Sequence, residues 1–255
     1  MPPIPSTAIV VPCYNEAARL DLGQFRDFIA RHREQVYFIF VDDGSTDGTI
    51  QVLERLRITC PGVVKIHRLP HNSGKAETIR QGILQALRHE VQYVGFWDAD
   101  LATPLEVIST FYTFLEEQPR YNMIFGARVQ LLGRTIERCA LRHYLGRLFS
   151  TAVSLILHLK IYDSQCGAKL FRASPQLLEI FSEPFLSRWV FDVEILARLV
   201  QMNRKKGCRS PAETVWEYPL PRWCDVAGSN VHCQDFFKAA FDLARIYRKY
   251  LRRTC

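Results

Sequence analysis

The chain has 255 residues, 48% hydrophobic, 12% aromatic and 23% charged, enough for one large domain or two small ones sharing an interface, and a mix that excludes disorder, collagen-like repeats and a coiled coil. Eight cysteines without a C-x-x-C pair exclude a disulfide scaffold and a zinc ribbon, and read as reduced thiols of a cytoplasmic protein. The formal charge of +7 implies an anionic partner: nucleic acid, a phosphorylated substrate or a membrane surface.

Residues 8–11 are a β-branched run stopped by Pro12, and residues 16–33 carry helical spacing. Residues 36–41 (VYFIFV) are uninterruptedly apolar, as a parallel strand buried on both faces requires. Asp47 reads as the cap of a helix running towards Arg57. Residues 63–69 follow as a strand, 75–89 as a helix, 93–97 (YVGFW) as a strand, 104–117 as a helix and 122–127 as a strand. The second half is less regular: a long helix over 134–160, a loop from 163 leading into a short strand ending at 171, and a helix over 191–202. A polar, turn-rich stretch over 203–233 precedes a final amphipathic helix over 235–253. Repeated βα units predict an α/β fold with a mostly parallel sheet, helices on both faces and right-handed crossovers.

In such sheets ligands bind beyond the carboxyl ends of the strands. Five polar clusters fall there: Tyr14-Asn15-Glu16, Asp42-Asp43-Gly44-Ser45, Asn72-Ser73-Gly74-Lys75, Asp98-Ala99-Asp100 and Gly126-Ala127-Arg128. Turns and helix caps use the same residue types, but five clusters at five strand ends are not what capping alone produces. No G-x-G-x-x-G and no P-loop motif is present, which weighs against a dinucleotide fold and a P-loop NTPase. Asp98 and Asp100 lie on the same side of the chain and suit one hard cation, Mg²⁺ or Mn²⁺, which takes one or two carboxylates plus substrate phosphates. Asp42 and Asp43 can accept hydrogen bonds from a base and ribose, and the small-residue turn at 72–75 brings one cation to a helix start, as a phosphate contact needs. The residues alone thus specify a metal-dependent enzyme of a nucleoside diphosphate.

VVPCYNE, VDDGSTDGT, NSGKAETIRQGI, FWDADL, IFGAR and DSQCGAKLF, in that order, resemble glycosyltransferase family 2, and more narrowly its polyprenyl-phosphate (dolichyl-phosphate) glucosyltransferases and mannosyltransferases. The resemblance covers residues 7–235. It implies a GT-A fold, a nucleotide-sugar donor, Mg²⁺ or Mn²⁺, and inverting transfer onto a lipid phosphate. By position it implies a nucleoside pocket of Pro12, Tyr14, Glu16 and Asp42, with Asp43 and Lys75 close by. It implies a diphosphate–metal site at Asp98 and Asp100 with Gln165 as a further ligand, and a phosphate-binding Arg128. RWVFDVEIL resembles the glucosyl branch, in which Asp192 and Glu194 face the sugar. Asp225 and the following VAGS resemble a loop closing near the acceptor. Ala76, where the mannosyl branch has glycine, and DSQCG favour a UDP-sugar, UDP-glucose, over GDP-mannose. The implied division is a GT-A domain over 1–235, with a nucleotide-sugar half at 1–130 and an acceptor half at 131–235, then a basic helix at 236–255.

That acceptor matches the charge distribution. Arg134, Arg138, Arg142, Arg147 and Lys160 face only Glu137 within 134–160, and Lys238, Arg245, Arg248, Lys249, Arg252 and Arg253 face only Asp242 within 236–255. Beside apolar residues, such helices can lie in an anionic membrane interface, with Arg138 and Arg142 as candidates for the acceptor phosphate. The alternative is a core helix with a solvated basic face. The start has no basic n-region and no apolar run reaches eighteen residues, so the expectation is a cytoplasmic-face peripheral protein without a transmembrane helix. Long apolar faces without an aromatic platform disfavour nucleic acid. Three alternatives stay open: GDP-mannose or another donor, a saccharide or other lipid acceptor, and a non-enzymatic binder of nucleotide sugars or anionic membranes.

Overall fold

A computed structural model describes residues 6–137, 140–225 and 233–252, with the side chains of 140–143 and 233–237 outside that description. The first half alternates β1 (Thr7–Cys13), α1 (Leu22–His32), β2 (Val36–Asp42), α2 (Thr49–Thr59), β3 (Val64–Arg68), α3 (Lys75–Ala86), β4 (Tyr93–Trp97), α4 (Glu106–Glu117) and β5 (Met123–Ala127). Then come β6 (Thr135–Glu137), α5 (Ala140–Leu157), β7 (Ala168–Arg172), α6 (Pro175–Ser182), α7 (Phe191–Lys206), α8 (Pro211–Thr214), β8 (Val215–Pro219) and β9 (Arg222–Cys224). The helix α9 (Cys233–Ile246) runs into a π-helical segment, Tyr247–Leu251.

The main sheet has seven strands in the order β3-β2-β1-β4-β7-β5-β8. Every residue of β2, β4 and β5 is buried, which is why these strands read as continuous apolar runs rather than alternating ones. β1 pairs in parallel with β2 and β4, β2 with β3, and β5 with β8. β7 breaks the pattern: it runs antiparallel to both β4 and β5. The expected mostly parallel, helix-covered sheet of a GT-A fold is present, and this one reversed strand sits inside it, next to the central β4.

Among the differences from the sequence reading, three change what packs where. The helix expected over 134–160 starts only at Ala140, because Thr135–Glu137 pairs in parallel with β9; the β-branched Thr135 and Ile136 suit that edge pairing better than a helix start. The helix expected from 16 begins at Leu22, where Asp21 Oδ1 accepts the Gln24 amide at 3.0 Å and sets the first turn. The stretch over 203–233 also contains β8, whose Trp216 packs on Phe114 and Tyr121 at centroid distances of 5.3 and 5.2 Å.

The chain's end is fastened to α7. Tyr250 donates to Glu194 Oε1 at 2.8 Å, and Arg204 Nη1 and Gln201 Nε2 donate to the Leu251 and Lys249 carbonyls at 2.9 and 3.4 Å. These donors satisfy carbonyls that a helix end otherwise leaves open. Among the described residues, no helix is long and apolar enough to cross a membrane.

Candidate active site

The carboxyl ends of β1, β2 and β4, with the loop entering α3, surround a cavity of about 420 Å³. Pro12 and Tyr14 form its β1 wall. Asn15 holds φ +54°, a left-handed conformation that Asn tolerates better than most residues. Its amide donates to Ser45 Oγ at 3.0 Å and its Oδ1 accepts the Thr46 amide at 3.0 Å, which fixes the β1 exit against the β2 exit. Glu16, also on the wall, is held bidentately by Arg19 at 3.0 and 2.6 Å.

Asp42 and Asp43 diverge. Asp42 is fully buried and away from the cavity wall; its Oδ1 accepts the Ser45 amide at 3.2 Å and its Oδ2 lies 3.3 Å from Arg68 Nε. Asp43 lines the cavity and accepts the Ser73 and Gly74 amides at 2.7 and 2.8 Å. That pair of bonds shapes the loop delivering Lys75. Gly74 has φ +92°, and a Cβ there would lie 2.5 Å from Arg188 Nε. Arg188 uses the space to donate to the carbonyls of Ser73 and Asn72, both at 3.1 Å, and to Asn72 Oδ1 at 2.7 Å. The N-cap position of α2 falls to Gly48 rather than Asp47; Asp47, one residue earlier, accepts the Thr49 amide at 3.0 Å.

The charged centre follows β4. Lys75 Nζ lies 2.5 Å from Asp98 Oδ1. Asp98 is pressed against the backbone of Gly167, where a Cβ would come within 1.9 Å of Asp98 Oδ2; only glycine admits the carboxylate. Asp100 Oδ1 accepts the Ala102 amide at 3.1 Å, and Leu101 between them has φ +53°, a strained conformation for Leu. Burial, then the neighbouring Asp98, pushes the Asp100 carboxyl above the usual range. Burial works against the Lys75 ammonium, but Asp98 and Asp192 outweigh it and its pKa is raised. Asp192 lies behind the cavity wall on the first turn of α7, with Lys169 Nζ 2.8 Å from its Oδ1. Burial raises the Asp192 pKa, opposed by Lys169 and Lys75.

Lys169 is fully buried, and its Nζ also donates to the carbonyls of Cys166 at 2.5 Å and Ser164 at 3.2 Å. It therefore ties β7, the 164–167 turn and α7 together. From the other side, Arg128 grips Asp163 with Nε at 2.5 Å and Nη2 at 2.7 Å. Burial works to lower the Arg128 pKa, but Asp163 prevails and raises it. Among the described residues, Arg128 Nη1 has no hydrogen-bond partner. Glu217 of β8 accepts the Tyr162 and Asp163 amides at 2.8 and 2.6 Å. Gln165 lies on this fastened turn, its amide donating to Asp163 Oδ1 at 3.3 Å.

The structure thus brings Pro12, Tyr14, Glu16, Asp43, Lys75, Asp98 and Asp100 onto one cavity. It places Asp42, Asp192, Arg128 and Gln165 outside the cavity lining. Arg138 and residues 226–229 lie outside the described residues, as does Arg253, and so does the side chain of Arg142. Arg147 turns inward, donating to the Tyr162 carbonyl at 2.8 Å. Sequence reasoning missed Arg19 and Trp189 on the wall and Lys169 and Glu217 beneath it. A lysine inside the apolar run AKLF was the available signal, since a buried charge requires a partner.

The oxygen donors of Asp98 and Asp100 fit a hard divalent cation. Among the described residues no three His, Cys, Asp or Glu side chains converge on one point. A cation held by these two carboxylates would complete its shell from phosphate, water or amide oxygens.

The profile of Glycosyl transferase family 2 matches residues 8–176. A dolichyl-phosphate beta-glucosyltransferase of Saccharomyces cerevisiae is 30% identical over 268 residues, covering 96% of this chain and 75% of the relative. A dolichyl-phosphate beta-glucosyltransferase of Trichomonas vaginalis is 27% identical, covering 94% and 70%. Glucosyl-3-phosphoglycerate synthase of Mycobacterium tuberculosis, solved with Mn²⁺, UDP and glucosyl-3-phosphoglycerate, superposes with a TM-score of 0.64 at 16% identity, covering 95% of this chain and 78% of that one. Mannosyl-3-phosphoglycerate synthase of Rubrobacter xylanophilus gives 0.67 at 16%, covering 97% and 74%.

Proposed function

The chain belongs to glycosyl transferase family 2, and from that premise we propose that it transfers glucose from UDP-glucose, with inversion, onto a polyprenyl or dolichyl phosphate at a membrane surface. The observation that carries this reading is the cavity in which paired carboxylates, Asp98 and Asp100, meet Lys75 at the end of β4. The names of the yeast and Trichomonas relatives support the sugar and the acceptor. In this reading 1–130 is the donor half, 131–235 the acceptor half, and 236–255 a basic membrane-facing helix.

Pro12, Tyr14, Glu16, Asp42 and Asp43 form the nucleoside side, Asp42 by holding the β2 exit from below. Asp98 and Asp100, with Gln165 from the fastened 164–167 turn, would hold Mg²⁺ or Mn²⁺, which when bound would supply Lewis-acid neutralisation of the diphosphate leaving group. Lys75 adds a fixed positive charge at the same place, preorganised by its pair with Asp98. An acceptor phosphate oxygen attacks the anomeric carbon, the bond from that carbon to the UDP oxygen breaks, and the electron pair leaves on the diphosphate. The attacking phosphate is already an anion at neutral pH, so the step needs no strong general base. Arg128, Arg138 and Arg142 bind the acceptor phosphate; Arg128 has Nη1 to offer while Asp163 holds its other edge. Asp192 stands behind Lys75 on the sugar side.

The membrane part of the reading rests on exposed apolar residues next to cations. Tyr144, Leu148 and Leu155 lie exposed along α5, Leu131 and Leu132 are exposed between β5 and β6, and Phe241 is exposed on α9 beside exposed Arg248, Lys249 and Arg252. The test is incubation of purified protein with UDP-glucose, GDP-mannose and other nucleotide sugars, a short polyprenyl phosphate and Mg²⁺. Formation of polyprenyl-phosphate glucose and UDP is expected. Transfer only to free saccharide, or only from GDP-mannose, would replace the reading.

A further inference from the structure

Three of the four tryptophans are accounted for by the fold. Trp97 donates from Nε1 to the Thr103 carbonyl at 2.9 Å and meets Phe111 edge-on at 5.6 Å. Trp216 packs on Phe114 and Tyr121. Trp223 is 9% exposed and lies under the Arg128 guanidinium at 5.2 Å. Trp189 differs. It lines the cavity with Lys75, Asp98 and Asp100, it is 51% exposed, and among the described residues its indole has neither a hydrogen bond nor a ring partner.

The backbone around this bare ring is held from three elements. Ser187 Oγ accepts the Trp189 and Val190 amides at 3.1 and 2.8 Å while donating to Asp242 of α9 at 2.6 Å. Arg188 crosses to the loop before α3 through its three bonds to Asn72 and Ser73. Glu194 Oε2 accepts the Leu186 amide at 2.7 Å. An exposed aromatic on a floppy loop reads as surface; one whose backbone is fixed from α9, α7 and the β3–α3 loop is a preorganised wall.

We infer that Trp189 is the stacking wall for the hexose ring of the donor. This deepens the proposed function and rests on its nucleotide-sugar reading. A pyranose carries a flat C–H face and a rim of hydroxyls. An unpartnered indole lining the same cavity as carboxylates that accept hydroxyl hydrogen bonds matches both parts, and pockets of this kind combine aromatic walls with a few placed polar groups. The placement favours the sugar over the base. Trp189 lies two residues before α7, whose first turn carries Asp192, a charged neighbour of Lys75. The other exposed aromatic on the wall, Tyr14, lies at the β1 exit.

The experiment is calorimetric titration with UDP-glucose and with UDP, each with Mg²⁺, of wild type and of Trp189→Ala, Trp189→Leu and Trp189→Tyr. Trp189→Ala and Trp189→Leu should weaken UDP-glucose at least about tenfold, or about 1.4 kcal/mol, while UDP affinity stays within about twofold; Trp189→Tyr should recover most of the loss. Equal weakening of UDP and UDP-glucose would move the ring to the base and overturn the inference. No change in either, or a loss confined to binding of anionic vesicles, would make it a surface contact and overturn it too. Should wild type bind another nucleotide sugar instead, the same comparison with its own diphosphate decides the matter. Wild type that binds UDP but no nucleotide sugar removes the donor reading first, and the wall with it.

Discussion

Lys169→Met tests whether the centre beneath the cavity is an electrostatic device or only a packed one. Methionine keeps the length of the side chain and deletes the ammonium. Lys169 is fully buried, lies 2.8 Å from Asp192 Oδ1 and donates to two carbonyls of the 164–167 turn. Breaking a buried pair from one side costs about 3–5 kcal/mol, because the other charge is left uncompensated. An expected loss of about 4 kcal/mol, at roughly 2–4 °C per kcal/mol for a domain of this size, lowers Tm by roughly 8–16 °C. The pH dependence is the sharper part. Burial raises the Asp192 pKa and Lys169 is its first opponent, so the variant's carboxyl rises further above the unfolded value of about 3.9. The folded variant then binds a proton that the unfolded chain has released. Stability therefore falls as pH rises through that window, and the deficit shrinks on acidification. Urea midpoints at pH 5.5 and 7.5 measure it, with Lys169→Met/Asp192→Asn as the companion. The deficit should be smaller at pH 5.5, and the double variant more stable than the single one at pH 7.5. Equal deficits at both pH values and in the double variant would show that lost packing, not an unpaired charge, sets the cost.

Asp100→Asn should cut turnover by at least about a hundredfold, corresponding to a contact worth roughly 3 kcal/mol, and should raise Tm at pH 7, since burial already disfavours the ionised Asp100; full activity in the variant or in EDTA would remove the metal assignment. UDP should bind at least about tenfold more tightly than GDP, or about 1.4 kcal/mol; calorimetry with GDP equal or preferred would reverse the donor choice. Replacing Arg248, Lys249 and Arg252 together by Gln should weaken co-sedimentation with anionic vesicles, at about 1 kcal/mol per cation, and leave UDP affinity unchanged; Arg245 stays out of this set because it donates to the Leu186 carbonyl at 3.1 Å.

Much of this molecule was legible from residue order alone. The buried runs at β1, β2, β4 and β5 announce themselves because strands covered on both faces have no polar side to show, and polar clusters after them mark where a parallel sheet opens to ligand. Asp98, Asp100 and Lys75 are found this way, since each sits within three residues of a strand end or helix start. Tertiary structure decided the rest. Nothing local tells that β7 enters antiparallel between β4 and β5, so nothing local pairs Lys169 with Asp192, residues that meet only when α7 packs on that strand. Glu217 finds the 162–163 amides only because β8 joins the same sheet beside β5. Asp42 and Asp43, adjacent in sequence, part company because the strand ends between them: Asp42, the last residue of β2, braces Ser45 and Arg68, while Asp43 starts the exit loop and meets the Ser73 and Gly74 amides at the cavity. Periodicity is a property of neighbours along the chain, whereas the partner of a buried charge is chosen by contacts between distant segments, and those exist only in the folded protein.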